Sequence, residues 1–127
     1  MDAFLGYAPK GEVQGEVVYI NYGRIEDFKM VTDQNSEYYV DLTGKICLVR
    51  FGRLYRGNKV ENAFNNGCSG VIIYSDPVDV AAEGTEPENV YPNKPWLPGT
   101  GMQRGSLKLV KGDPETPHWP SIPHAYR

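Results

Sequence analysis

The sequence contains few of the residues from which catalytic and metal sites are usually built. Among its 127 residues there are only two histidines and two cysteines. His118 and His124 lie in a proline-rich segment, without the i, i+4 spacing of a helical zinc site and without a cysteine or a close carboxylate beside them. We therefore interpret them as exposed loop histidines and expect no catalytic residue in this chain.

Long apolar runs and a strong net charge are also absent. No stretch approaches the roughly 20 apolar residues needed to cross a bilayer, and residues 1–4 lack the basic and apolar regions of a secretion signal. We expect neither a membrane segment nor a signal within this chain. The formal net charge is −3 and the lysines and arginines are dispersed, whereas nucleic-acid-binding proteins usually present a broad basic face. Binding to nucleic acid is therefore not expected.

The two cysteines leave the redox state open. Cys47 lies in the apolar run 46–49, and Cys68 follows a predicted helix end. A disulfide between them is geometrically possible, but spacing alone does not decide it. We expect two free thiols, with Cys47 acting as a small buried hydrophobic residue.

The apolar and aromatic residues, 40% and 12% of the chain, indicate one folded domain. Period-two and β-branched patterns predict strands at 15–22, 45–51, 70–75 and 106–110. Helical spacing predicts helices at 24–34 and 58–66. The apolar residues expected on their buried faces are Ile25, Phe28 and Val31 in the first helix, and Val60, Ala63 and Phe64 in the second.

These elements predict an α+β fold, a twisted β-sheet or open β-sandwich flanked by two short helices. The order strand, helix, strand over residues 45–75 indicates a right-handed parallel crossover. Residues 77–105 and 112–127 are rich in proline and are expected to be loops. The last segment has too little apolar content to close a domain, so we expect it to pack on something outside this chain.

The segment 53–59 contains the most informative motif. Arg56 lies at the N-terminal end of the second predicted helix, where backbone N–H groups and the helix dipole favour an anion. Its guanidinium can bind a carboxylate with two hydrogen bonds, and Gly57 allows a ligand or another backbone to approach closely. Taken alone, these residues favour a solvated or structurally paired arginine over a ligand-binding one, because charged loop residues are often merely structural.

Four blocks spread along the chain resemble the protease-associated domain of the glutamate carboxypeptidase II family. They are residues 55–60 with 62–63, 70–77, 97–105 and 112–117, and residues 18–23 and 26–28 agree as well. Their order and separation match, and the resemblance covers nearly the whole chain. It implies that residues 1–127 are one protease-associated domain that is incomplete at both ends.

The resemblance implies a role for this chain as part of a larger protein. Family members are large, membrane-anchored, dimeric proteins of the cell exterior, in which a two-zinc peptidase domain removes a C-terminal residue, typically glutamate, from small acidic peptides. The protease-associated domain forms one wall of the substrate cavity, and the zinc ligands belong to the peptidase domain of the same polypeptide. We therefore expect an accessory substrate-binding domain that is not catalytic by itself.

The resemblance also assigns roles by position. Arg56 matches the arginine that binds the substrate's C-terminal carboxylate, and Tyr55 matches an aromatic residue of the terminal-residue pocket, usually Phe. Arg53 stands where a lysine closes over the ligand, and Asn58 belongs to the same substrate-binding motif. Ser106 stands where an asparagine contacts the carboxylate; its hydroxyl is shorter but can still donate one hydrogen bond, so we expect a weaker preference for glutamate.

Two further positions resemble ligands of a structural calcium ion. Thr116 matches one ligand, and Trp119 stands where a tyrosine contributes its backbone carbonyl. Calcium takes about 6–8 oxygen ligands, and the remainder would come from the peptidase domain. Calcium binding by this chain alone is therefore expected to be weak or absent.

Two alternatives remain beside the peptidase hypothesis. One is a non-enzymatic protein-interaction domain, as in transferrin receptors, which share the architecture. The other is a purely structural domain. Transferrin receptors generally lack the motif at residues 56–59 and the Leu-Pro-Gly block at 97–99, and both are present here. The peptidase branch is therefore favoured.

Overall fold

The computed structural model describes residues 3–112. Within this range the strands are β1 (Leu5–Gly6), β2 (Val17–Tyr19), β3 (Ile46–Arg50), β4 (Gly70–Tyr74) and β5 (Gly105–Ser106). The α-helices are α1 (Ile25–Thr32), α2 (Arg56–Asn65) and α3 (Pro77–Val80), and Pro87–Asn89 forms a 3-10 turn. Open sheets with a few short helices confirm the predicted α+β class.

Three strands form the main sheet in the order β2-β3-β4, and every pairing is parallel. The parallel strand–helix–strand unit predicted over residues 45–75 is therefore present as β3-α2-β4. The first and last strands, β1 and β5, pair separately as a two-stranded parallel sheet. This second pairing brings the two ends of the described range together, which the sequence patterns did not predict.

The core lies between one face of the main sheet and the helices α1 and α2. Its fully buried residues are Ile20, Phe28, Leu42, Cys47, Val49 and Ala63. Because side chains alternate along a strand, Cys47 and Val49 of β3 share one face. Phe28 is 1% exposed, and burying such a side chain contributes about 2–3 kcal/mol to stability.

In each helix, one residue that was predicted to be buried is exposed, so the prediction is wrong at that position. Ile25 is 61% exposed and Phe64 is 78% exposed. Ile25 is the first residue of α1 and does not reach the core, whereas Phe28, one turn later, does. Helix α2 is rotated so that Lys59 and Ala63, four positions apart and both 0% exposed, face inward in place of Phe64.

The expectation of two free thiols is wrong, because Cys47 and Cys68 form a disulfide with their Cα atoms 6.0 Å apart. The backbone N–H of Cys68 donates to Ala63 O at 3.0 Å, which folds the chain back at the end of α2. Strand β4 then begins two residues later beside β3. The bond therefore ties the C-terminal end of α2 to the central strand.

The proline-rich segment 77–105 contains short helical turns that the sequence patterns missed, namely α3 and the 3-10 turn. The last strand of the described range is also shorter than predicted, since β5 covers two residues in place of the five at 106–110.

No helix in residues 3–112 is long and apolar enough to span a membrane.

Candidate ligand-binding site

The N-terminus of α2 is where the motif residues meet. Tyr55 is the residue before the helix and Arg56 is its first residue. The Tyr55 side chain makes no capping hydrogen bond, and the first turn contains no acidic residue. The positive end of the helix dipole is therefore not neutralised by its own first turn, which favours an anion at this position.

The Arg56 side chain is half-buried and packs on the backbone of β5. A Cβ atom at Gly105 would overlap the Arg56 guanidinium, so only glycine leaves room for it. The Cζ atom of Arg56 lies 5.2 Å from the centre of the Tyr55 ring. Its Nε atom is buried and has no hydrogen-bond partner within residues 3–112. A buried donor without a partner is unfavourable, so a ligand acceptor would stabilise it.

Tyr55 and Gly57 attach the segment 105–109 to the helix. The Tyr55 hydroxyl donates to Ser106 O at 2.9 Å and to Lys108 O at 2.8 Å. A Cβ atom at Gly57 would lie 2.8 Å from Leu107 O, so this glycine is needed for the close approach of a backbone. The predicted close approach at Gly57 is confirmed for a second backbone segment.

The structure brings three of the five predicted substrate-binding residues together. Tyr55, Arg56 and Ser106 meet where α2 packs on β5. Arg53 lies on the exposed turn before the helix, with its Cζ atom 5.7 Å from the Tyr22 ring. Asn58 donates to Glu61 Oε2 of the same helix at 3.2 Å, and its role in ligand binding stays a prediction.

Several sequence predictions lie outside the described residues. They concern Thr116 and Trp119 as calcium ligands and His118 and His124 as loop histidines. Within residues 3–112 there is no group of three or more His, Cys, Asp or Glu side chains that could hold a metal ion.

Lys59 is a feature of the site that the sequence reasoning missed. It is 0% exposed, and its ammonium donates to Tyr22 O and Gly52 O, both at 2.6 Å. Burial lowers the pKa of Lys59 to about 8, although the negative charge of Asp27 acts in the opposite direction and raises it. At neutral pH the side chain is thus still largely an ammonium. The one sequence signal for its burial is its position four residues before Ala63, because residues four apart lie on the same face of a helix.

A second polar cluster lies at the carboxyl ends of the main strands. Arg50 donates to Asn21 Oδ1 at 2.7 Å and pairs with Asp76 and Asp79 at 3.4 and 3.5 Å. The Arg50 guanidinium lies 4.0 Å from the centre of the Tyr22 ring, and the Tyr22 hydroxyl donates to Asp79 at 2.9 Å. These groups pair with one another except for Asp79 Oδ2, which is buried and has no hydrogen-bond partner among the described residues. Asp76 and Asp79 already lie beside Arg50 and would repel a further anion, so the helix terminus is the better site for an anionic ligand.

Comparison with known proteins agrees with the resemblance. The family model described as the PA domain matches residues 13–110. A glutamate carboxypeptidase 2 homolog from Caenorhabditis elegans is 46% identical over 118 residues, which are 93% of this chain and 15% of that protein. The aminopeptidase NAALADL1 from Mus musculus is 39% identical over 127 residues, which are 100% of this chain and 16% of that protein.

Transferrin receptor protein 2 from Homo sapiens is also similar, with 37% identity over 121 residues, which are 95% of this chain and 14% of the receptor. The chain thus spans only about one seventh of the length of these relatives. The matched segment covers both the main sheet and the helix terminus at Arg56. The chain belongs to the PA domain family, in the form found in glutamate carboxypeptidase-like and transferrin receptor-like proteins.

Proposed function

We propose that this chain is the accessory substrate-binding domain of a glutamate carboxypeptidase-like zinc peptidase, in which Arg56 binds the C-terminal carboxylate of a small acidic peptide. The main support is the buried Arg56 Nε, which lacks an acceptor among the described residues. The ion pairs of residues 3–112 also leave Arg56 without a carboxylate partner. A carboxylate placed at the helix terminus would accept from this guanidinium and meet the positive end of the dipole.

The other site residues take roles that follow from their positions. Tyr55 supports the guanidinium with its ring and holds β5 with its hydroxyl. Ser106 follows Gly105, on which the Arg56 guanidinium packs, and contributes its hydroxyl to the same carboxylate, while Arg53 closes over the ligand from the preceding turn. Asn58 lies in the first turn of the helix and contributes to the polar wall of the site.

The remaining parts of the activity belong to the rest of the polypeptide. Several relatives are named as glutamate carboxypeptidases or an aminopeptidase. In this proposal two zinc ions would be held by the peptidase domain, outside this chain, and would supply an activated water for hydrolysis of the peptide bond. Thr116 and Trp119 contribute to a calcium site shared with that domain. The parent protein is a homodimer whose peptidase acts on the extracellular side of a membrane.

The second candidate function is a non-enzymatic interaction domain, favoured by the similarity to transferrin receptor protein 2. The two functions make different demands on Arg56, since only substrate binding needs its guanidinium to meet a free carboxylate. They also differ in the parent polypeptide, because only a peptidase needs zinc ligands downstream. A parent sequence without those ligands would favour the receptor function.

Binding of a short acidic peptide tests the proposal directly. Titration of the chain with the dipeptide Ala-Glu, followed by NMR chemical shifts, should move the signals of residues 53–58 and 105–106. The same dipeptide with a C-terminal amide should bind much more weakly. Arg56→Ala should weaken binding of Ala-Glu roughly tenfold or more, because a hydrogen bond to a charged group contributes about 1.5–3 kcal/mol.

The matched control is Arg104→Ala, which removes the same charge from an exposed position in the neighbouring loop. It should leave the affinity for Ala-Glu nearly unchanged. Equal losses for both substitutions would show that the peptide responds only to net charge. Unchanged binding by Arg56→Ala would remove this residue from the site and refute the proposal.

A further inference from the structure

The turn before α2 is held in a conformation that Arg53 disfavours. Gly52 has φ +103° and Arg53 has φ +63°, and a residue other than glycine is uncommon at positive φ. The Leu54 N–H donates to Gly52 O at 2.7 Å, which closes the turn over three residues. Such a conformation persists only where surrounding contacts impose it, and it often occurs at functional sites.

Lys59 binds the first carbonyl of this turn. Its ammonium donates to the same Gly52 O at 2.6 Å, so this carbonyl accepts one hydrogen bond from the turn and one from the helix. A second hydrogen bond of 2.6 Å, to Tyr22 O, holds the ammonium beside the segment that follows β2 of the main sheet. Lys59 lies one helical turn after Arg56. It therefore joins the turn that carries Arg53 to the helix that carries Arg56.

A buried ammonium is an unfavourable way to fill core space, because an apolar side chain of similar volume loses less hydration. Lys59 is 0% exposed, and no carboxylate within residues 3–112 forms an ion pair with it. What it contributes in return is two directed hydrogen bonds to loop carbonyls. The contribution specific to Lys59 is thus the geometry of the Gly52–Leu54 turn.

We propose that Lys59 is a positioning residue of the ligand-binding site, which acts by holding the Gly52–Leu54 turn, from which the exposed Arg53 side chain turns away from the Tyr22 ring toward the bound carboxylate. The proposal rests on the proposed function, in which Arg53 and Arg56 both meet the ligand. Lys59 itself does not touch the ligand, since its ammonium is enclosed by Tyr22 O and Gly52 O.

The test measures the affinity of the chain for Ala-Glu by NMR titration in four variants, Arg53→Ala, Lys59→Met, the double variant of these two, and Arg56→Ala combined with Lys59→Met. Arg53→Ala should weaken binding about two- to fivefold, as expected for an exposed charge. Lys59→Met should weaken it by the same factor, and the first double variant should be no weaker than either single variant. The losses from Arg56→Ala and Lys59→Met should multiply.

Asn62→Ala is the matched control for a general loss of helix-to-loop contacts. Asn62 lies on the same helix, and its Nδ2 donates to Gly23 O at 3.0 Å and not to the Gly52–Leu54 turn. This substitution should reduce thermal stability but leave the affinity for Ala-Glu unchanged. An affinity loss in Asn62→Ala equal to that in Lys59→Met would show a structural effect only and would overturn the proposal.

Gly52→Ala provides a second route if Lys59→Met does not fold. A Cβ at Gly52 would lie 3.5 Å from Tyr22 Cε1, so there is space for it, but the φ of +103° disfavours alanine and would shift the turn. This variant should weaken binding by the same factor as Arg53→Ala. The double variant Gly52→Ala with Arg53→Ala should bind no more weakly than either single variant. Wild-type affinity in Lys59→Met or in Gly52→Ala would overturn the positioning role while Arg56→Ala still tests the proposed function separately.

Discussion

Removal of the Cys47–Cys68 disulfide should destabilise the domain strongly. The two residues are 21 positions apart in the chain, and the bond closes that loop in the unfolded state as well as in the folded one. In the chain-entropy description, a loop of this size corresponds to about 3 kcal/mol of stabilisation. A domain of this kind has about 5–15 kcal/mol in total, so the bond accounts for a large share of its stability.

Cys68→Ala is the better substitution for testing this value. Cys47 is 0% exposed in the core, so replacing it would also change core packing, whereas Cys68 is only partly buried. Urea unfolding should compare the oxidised chain, the chain with reductant, and Cys68→Ala. The reduced chain and Cys68→Ala should agree within about 1 kcal/mol, and both should lie about 3 kcal/mol below the oxidised chain. Their thermal midpoints should fall by roughly 10 °C.

Cys68→Ala measured with and without reductant is the control, since it has no disulfide to lose and should not change. The reasoning would be refuted if the oxidised and reduced chains unfolded at the same urea concentration. The bond also has a bearing on the site, because it fixes one end of α2 to β3 while Arg56 stands at the other end. Reduction should therefore weaken binding of Ala-Glu by allowing the helix to shift.

Two further predictions concern the tyrosine that supports the site and the N-terminus of α1. Tyr55→Phe removes the hydroxyl that donates to Ser106 O and Lys108 O, so it should lower stability by about 1 kcal/mol and speed amide exchange in residues 105–109; unchanged exchange there would contradict the role of this hydroxyl. Burial raises the pKa of Asp27, but hydrogen bonds from Arg24 and Asn21 outweigh it and hold that pKa below its usual range. The stability from Asp27 is therefore complete above the pKa of an unfolded Asp, about 3.9, and is lost as pH falls through the lower folded value. Asp27→Asn should flatten the loss of stability measured by urea unfolding between neutral pH and acid, and an identical pH dependence in the two proteins would show that Asp27 does not contribute.

Local patterns in the sequence were sufficient for the main elements. Alternating and β-branched residues predicted β3 and β4 to within about one residue at each end, and helical spacing predicted α1 and α2. The position of Arg56 at a helix mouth also followed from sequence, although α2 begins two residues earlier than the predicted start at 58. The family was recognised from blocks along the chain, because such blocks depend on residue identity and spacing.

The contacts of those elements were decided only by the tertiary structure. Helical spacing placed position 59 on the same face as Ala63, but a lysine is rarely buried, so the apolar Phe64 was predicted to be buried and Lys59 was not. The disulfide depended on the chain folding back beside β3, and spacing between cysteines carries no such information. The assembly of Arg56 with Gly105 joins residues 49 positions apart. Sequence specifies local conformation through short-range sterics and periodicity, whereas contacts between distant segments follow from how the whole domain packs.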